Sequence, residues 1–224
     1  MPGDKGAMHP IKQDILEKLI LSQGLRFAAL RPVEVENNHF IYYLRQLQDE
    51  GMVEKTDNLY HLSAQGKQEA ERMSLAGLSV RLQPKIVTAP VCFRDDRQEV
   101  LLFQWAREPG YGRYSLVNGK LHFGESALSA VERELLEKTG LKTKLKWAGN
   151  VYIREFGRGE CKKHQLSHVF VGDDPTGEII KCTAGVAVWV PINTLITLDL
   201  LPGTREIIDL LDIGRLFYEE LELS

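Results

Sequence analysis

The 224-residue sequence predicts an α/β domain preceded by a small, mainly helical domain. Three observations predict it. Apolar residues recur at helical spacing from Ile11, and a short hairpin pattern closes that stretch before Met73. The period is lost between about Ser74 and Gln83, where Gly77 interrupts it. From Lys85 onward, strand-like runs surround one acidic helix, the ordering of an α/β domain of about 130 residues. The expected division is a disordered tail over 1–9, a helical domain over 10–74, a linker over 75–84 and an α/β domain over 85–224.

Ile11, Ile15, Leu19 and Ile20 share one face of a first helix. A short segment, Phe27 to Leu30, is closed off by Pro32. A third helix is expected from Val35 to Glu50, with Phe40, Leu44 and Leu47 at helical spacing and Gly51 as its stop. "MVEKTDNLYHLSA" then reads as two strands around a turn at Asp57–Asn58, and Ser63 opens a further helix near Ala64. This order of three helices, hairpin and helix resembles a winged helix-turn-helix domain. In DNA-binding members of that class the third helix enters the major groove. The resemblance makes Asn37, Asn38, His39, Tyr42 and Arg45 its outward residues here, and Asn and Arg have the chemistry to read base edges of double-stranded DNA. Acids and bases are about balanced in the segment, so the counterion-release contribution to binding would be modest for a monomer. The same class also serves protein contacts and dimerisation, and both uses remain open at this point.

In the second domain, "KIVTAPVCF" and "EVLLFQWA" are strands joined by the turn "RDDRQ". After the acidic helix come three more strand-like runs, "LKWAGNVYIREF", "QLSHVFVG" and "VAVWVPINTL". "GTREIIDLLDIGRLFYEEL" is expected to close the chain as a helix. Composition limits what such a protein does. The net charge of −3 provides no global basic field for nucleic acid. No apolar run approaches the roughly 20 residues that span a bilayer, so no membrane partner is expected. The N-terminus lacks the pattern of a signal peptide. The three cysteines, Cys92, Cys161 and Cys182, lack metal-ligand spacing and read as free thiols of a reducing cytoplasm.

The chemistry concentrates in "GKLHFGESALSAVERELLEKTGL", Gly119 to Leu141. With Ser126 to Thr139 helical, Leu128, Val131 and Leu135 form an apolar stripe toward the sheet, and Gly140 stops the helix. Glu134, Glu137 and Lys138 share a face at spacings of three and four, and Glu125 and Arg133 stand beside them. Clustered carboxylates repel unless a cation lies among them. Mg²⁺ or Mn²⁺, which take oxygen ligands and keep water and phosphate in their shells, would answer that need. A solvated helix face of mixed charge is the plainer alternative.

The spacing decides between them. Gly119, five residues, Glu125, seven residues and then "RELLEKTGL" resemble the Nudix box, with Gly119, Glu125, Arg133, Glu134, Leu135, Glu137, Gly140 and Leu141 all matching. "GRYSLVNGKLHFGES", "VWVPINTL" and "LPGTREIIDLL" resemble the strand and loop before the box and the late strand and last helix, so the likeness covers about Lys85 to Leu211. It implies an α/β/α sandwich around a mixed sheet. It implies cleavage of a nucleoside diphosphate linked to another moiety, with Mg²⁺ or Mn²⁺ and water. By motif match Glu134 and Glu137 would hold metal, Arg133 would orient a carboxylate, Glu125 would support loop and helix, and Gly119 would permit a tight turn. Together with the winged helix, it also implies a homodimer.

Three departures stand out. Lys138 replaces the second Glu of a Glu-Glu pair, Val117-Asn118-Gly119 replaces Pro-Gly-Gly, and Glu178 is the one candidate for a later acid. The ammonium of Lys138 would replace part of a metal's charge and bind phosphate, or expel one metal and leave a site that binds a ligand but turns it over poorly, or swing into solvent. Arg154, Arg158, Lys162 and Lys163 crowd an expected loop, "REFGRGECKKHQ", able to collect a phosphorylated ligand or simply to be solvated. His164 and His168 read as packing or surface residues. Trp105, Tyr114 and Trp189 read as core, with base stacking open to one near the loop. Two functions follow, a Nudix pyrophosphohydrolase and a winged-helix regulator whose Nudix domain senses a nucleotide or sugar-nucleotide. An inert interaction module is the third.

Overall fold

The computed structural model describes residues 8–72, 83–211 and 214–223. The chain divides into two compact units, 1–82 and 83–224. Most of the expected tail (1–7) and most of the expected linker (75–82) lie outside the described residues.

The first unit runs α1 (Pro10–Ile20), α2 (Phe27–Leu30), α3 (Asn37–Asp49), β1 (Val53–Thr56), β2 (Leu59–Leu62) and α4 (Ala64–Arg72). Its core is the apolar face of each helix: Ile15, Leu16 and Leu19 of α1, Leu30 of α2, and Phe40, Leu44 and Leu47 of α3, closed by Tyr60 and Leu62 of β2. β1 and β2 pair antiparallel, with Thr56 opposite Leu59. The connecting Asp57 and Asn58 both take positive φ, 51° and 63°, the geometry of a tight hairpin turn that Asp and Asn tolerate. The Ser63 hydroxyl accepts from the Gly66 amide at 2.9 Å and caps α4. On α3, Asn37, Asn38, His39, Tyr42 and Arg45 are all exposed, opposite the buried Phe40, Leu44 and Leu47.

The second unit contains β3 (Lys85–Arg94), β4 (Glu99–Trp105), β5 (Tyr114–Leu116), β6 (Gly119–Lys120), α5 (Ala127–Thr139), β7 (Leu141–Lys142), β8 (Lys146–Gly157) and β9 (Glu160–Asp173). It continues with β10 (Thr176–Gly177), β11 (Lys181–Cys182), β12 (Gly185–Pro191), a 3₁₀ turn at Ile192–Thr197, α6 (Thr204–Leu211) and β13 (Phe217–Leu223). The main sheet has the order β11-β12-β4-β3-β9-β8-β13, with β5 on β4 and β6 on β3. β3 runs parallel to β9 and β8 parallel to β13, while the other pairings are antiparallel, so the sheet is mixed.

Alternation along the strands builds two cores. Val91, Phe93, Val100 and Leu102 face one side with Leu195 of the 3₁₀ turn and Ile207 and Ile208 of α6. Cys92, Leu101 and Phe103 face the other with Val131 and Leu135 of α5. The sheet is thus sandwiched between helices, an α/β/α arrangement. Burial pushes the Cys92 thiol up to about 12, with Asp173 adding to it, so that cysteine packs as an apolar group. No helix among the described residues is long and apolar enough to cross a membrane.

Three local expectations are corrected. The chain after Gly214 is not helix: Phe217–Leu223 adds to β8 in parallel, Phe217 opposite Gly149 and Leu223 opposite Glu155. Its alternating Leu221 and Leu223 suit a strand, but its partner is remote in sequence. The segment holding Lys162 and Lys163 is not a loop but one arm of the long β8–β9 hairpin, whose turn is confined to Arg158 and Gly159. On α5, Leu128 is 46% exposed, and the buried face is instead Ala130, Val131, Glu134, Leu135 and Thr139. Leu128 lies in the first turn, ahead of the buried stretch, and a carboxylate, Glu134, enters the buried face.

Candidate functional site

The site is built around α5. Ser126 caps its start, accepting from the Ser129 amide at 3.1 Å, and Gly140 ends it in the left-handed region at φ 76°, which a Cβ would disfavour. Gly119 serves a different need from the tight turn expected of it. It lies in β6, and a Cβ there would stand 1.7 Å from the Glu134 carboxyl carbon. Glycine leaves the hollow in which Glu134 packs against the backbone.

Arg133 joins the acids. Its Nε and Nη2 donate to the two Glu125 oxygens at 2.8 and 3.0 Å, a bidentate pair. Its Nη1 donates to Glu134 Oε1 at 2.8 Å and to Glu137 Oε2 at 3.3 Å. Glu125 also accepts from the His122 amide at 3.2 Å, tying the loop to the helix. These contacts, the Arg133 hydrogen bonds first, hold the Glu125 carboxyl at about 2. The same acids, led by Glu125, keep the Arg133 guanidinium protonated beyond its ordinary range.

Lys138 does not reach into solvent. Its Nζ lies 3.0 Å from Glu134 Oε2 and donates to the Asn118 carbonyl oxygen. It also lies 5.8 Å from the centre of the Trp105 ring. Trp105 is fixed by its indole N–H, which donates to Ser115 Oγ at 2.9 Å. Glu134 is therefore a buried carboxylate with a cation on each oxygen: guanidinium on one, ammonium on the other. Glu137 stays largely exposed, with a side chain 60% accessible, and touches the cluster through Arg133 alone among the described residues.

This donor set does not fit Mg²⁺ or Mn²⁺ while Lys138 is in place. Both Glu134 oxygens are engaged, and the ammonium sits between Glu134 and the Asn118 carbonyl, two oxygens that a hard cation would take. Among the described residues, no group of three or more His, Cys, Asp or Glu is placed to hold a metal ion. Glu178 offers its backbone carbonyl toward Gly140 at the far end of α5.

The other predicted residues fall apart from this cluster. Arg154 Nη2 pairs with Glu222 at 3.2 Å, Lys162 pairs with Glu160 at 2.5 Å, and Arg158 is exposed at the hairpin turn. His168 Nδ1 lies 2.8 Å from Asn150 Oδ1, and His164 packs edge-on to Tyr152. Sequence reasoning missed a cleft on the α6 side of the sheet, lined by Asn118, Ile153, Lys163, Gln165, Ser167 and Thr204 among others. The alternation of Lys163, Gln165 and Ser167 along one strand was the signal, hidden when Lys163 is read in a loop and Ser167 in the strand after it.

Solved structures share the fold. A mutator MutT protein from Bacillus halodurans is 26% identical with a TM-score of 0.53, over 62% of this chain and 89% of its own. The NUDIX domain of Shewanella oneidensis NrtR, in complex with ADP-ribose, is 21% identical with a TM-score of 0.52, over 65% of this chain and 97% of its own. A MutT protein from Methanosarcina mazei Go1 is 22% identical with a TM-score of 0.50, over 61% and 98%. A sequence profile of the NUDIX domain matches residues 84–211, more than half of the chain, and with the Gly119–Leu141 pattern inside that span the chain belongs to the Nudix family.

Proposed function

We propose that this chain is a regulator in which a Nudix domain binds a nucleotide or sugar-nucleotide and a winged-helix domain binds double-stranded DNA, working as a homodimer in the cytoplasm. The single observation that carries the reading is Lys138. Its ammonium stands on Glu134, where the family's divalent cation would need the oxygens. An ammonium paired with Glu134 neither carries nor activates a water as a bound metal does. Turnover is thereby weakened. The exposed Asn37, Asn38, Tyr42 and Arg45 on α3 support the DNA side of the reading. The NrtR structure, with ADP-ribose bound to the same fold, supports the choice of ligand to try first.

A second reading, slow hydrolysis of a nucleoside diphosphate derivative with Mg²⁺ or Mn²⁺, is favoured by the retention of Glu134, Glu137 and Arg133. It requires Lys138 to leave Glu134.

The test is fluorescence anisotropy on the chain's own upstream DNA, across a salt series, with and without ADP-ribose. Binding that falls with salt and shifts with ligand is expected. Absence of salt-sensitive binding to every fragment would remove the regulator. In parallel, product release with Mg²⁺ or Mn²⁺ above that of a Glu134→Gln control would establish the hydrolase instead.

A further inference from the structure

Lys163 is a cation that the Nudix box does not explain. It lies on β9, half-buried, among the residues lining the cleft, with Gln165 and the buried Ser167 on the same strand face. Thr204, at the start of α6, is buried on the opposite wall. Gln165 Nε2 donates to Ser167 Oγ at 3.0 Å, which leaves the amide oxygen and the hydroxyl proton for other partners. Across the hairpin Lys163 is in register with Glu155. Yet among the described residues it forms no ion pair within 4.0 Å, whereas the nearby Lys162 and Arg154 each have a carboxylate. Burial lowers the Lys163 pKa from its ordinary value, Glu155 opposing the shift and Lys85 adding to it. A partly desolvated ammonium with no carboxylate in ion-pair contact is a cost to the fold that a bound anion would offset.

Size narrows the anion. The cleft leaves about 40 Å³ of room for water-sized occupants. One water needs roughly 10–15 Å³ on such a measure. The space has room for a few waters or one tetrahedral group. A phosphomonoester also brings a charge of about −1.5 to −2 at neutral pH, which suits a site holding Lys163 with Lys85 near it.

We infer that Lys163, with Gln165, Ser167 and Thr204, forms a subsite for one terminal phosphoryl group of the ligand. The inference rests on the ligand-binding reading of the Nudix domain and adds a selectivity to it. Nucleotides ending in a phosphomonoester are preferred over conjugates, such as ADP-ribose, whose phosphates are all bridging.

The test is calorimetric titration of the full chain with inorganic phosphate, ADP and ADP-ribose, for the wild type, Lys163→Met, Lys163→Gln and Lys163→Arg. Two neutral variants are used so that a folding defect in one does not remove the readout, and circular dichroism checks each fold. Wild type is expected to bind ADP at least tenfold more tightly than ADP-ribose. The neutral variants lose at least tenfold for ADP and for inorganic phosphate, stay within twofold for ADP-ribose, and Lys163→Arg restores most of the loss. Unchanged phosphate and ADP affinities in folded neutral variants overturn the subsite and leave the ligand-binding reading standing. Equal losses for ADP and ADP-ribose also overturn it. If the wild type binds neither nucleotide, the ligand-binding reading fails, and the phosphate titration alone decides the subsite.

Discussion

On α5, Arg133 contacts Glu125, Glu134 and Glu137, and Lys138 contacts Glu134, so each of these five charges already has an opposite charge beside it. On β9, across the sheet, Lys163 lines a cleft with no ion-pair partner among the described residues. The first region carries the dense charge pattern and the second a single lysine among polar neighbours. A ligand gains most where charge is uncompensated, because a paired charge has already recovered much of its lost solvation. The dense cluster therefore reads as a framework, and the sparse one as a place still short of its counter-ion.

Removing the centre of the framework is the strongest way to test that contrast. Arg133→Ala removes the clasp on Glu125 and one of the two cations on the buried Glu134, and is expected to give the largest loss of stability of the set in a urea melt. A cost near zero would mean that the cluster is solvated rather than structural. Gly119→Ala places a methyl on the Glu134 carboxylate and is expected to cost about 2 kcal/mol as α5 and β6 shift apart. A neutral result there would deny the hollow.

Lys138→Glu sharpens the comparison by turning the internal cation into a further acid. Mn²⁺ affinity, read from the free-ion electron paramagnetic resonance signal, is expected to rise at least tenfold, about 1.4 kcal/mol. No change would make Lys138 peripheral. The smallest effect is in acid. Glu125 is lowered by folding from 4.5 to about 2, so its contribution is complete above about pH 4.5 and is lost as the pH falls through 2. The difference in melting temperature between wild type and Glu125→Gln should narrow from pH 5 to pH 3. A constant difference over that range would contradict the Arg133 clasp.

Local rules account for what the chain order shows directly. The Asp57–Asn58 turn, the caps at Ser126 and Gly140, and the exposure of Asn37, Asn38, Tyr42 and Arg45 depend on residues within a turn or two of each other. Leu128 shows where such rules end, because a period gives the face of a helix but not how far its first turn stays on the sheet. The strand at Phe217–Leu223 shows the same limit at longer range. Its identity rests on hydrogen bonds to β8, which propensity along the chain does not encode.

The sequence by itself determined the family, through the fixed spacing from Gly119 to Leu141, since a helix turns spacing into a common face. It also determined that one lysine interrupts the acids. Only the tertiary structure decided what the lysines do. Lys138 has several rotamers open to it, and the Asn118 carbonyl and Glu134, brought together by β6 and α5, select one. Lys163 could face either side of a strand or a loop, and pairing of β9 with β3 and β8 turns it to the cleft. Both outcomes depend on partners distant along the chain, where register and packing, rather than local preference, set the direction of a side chain.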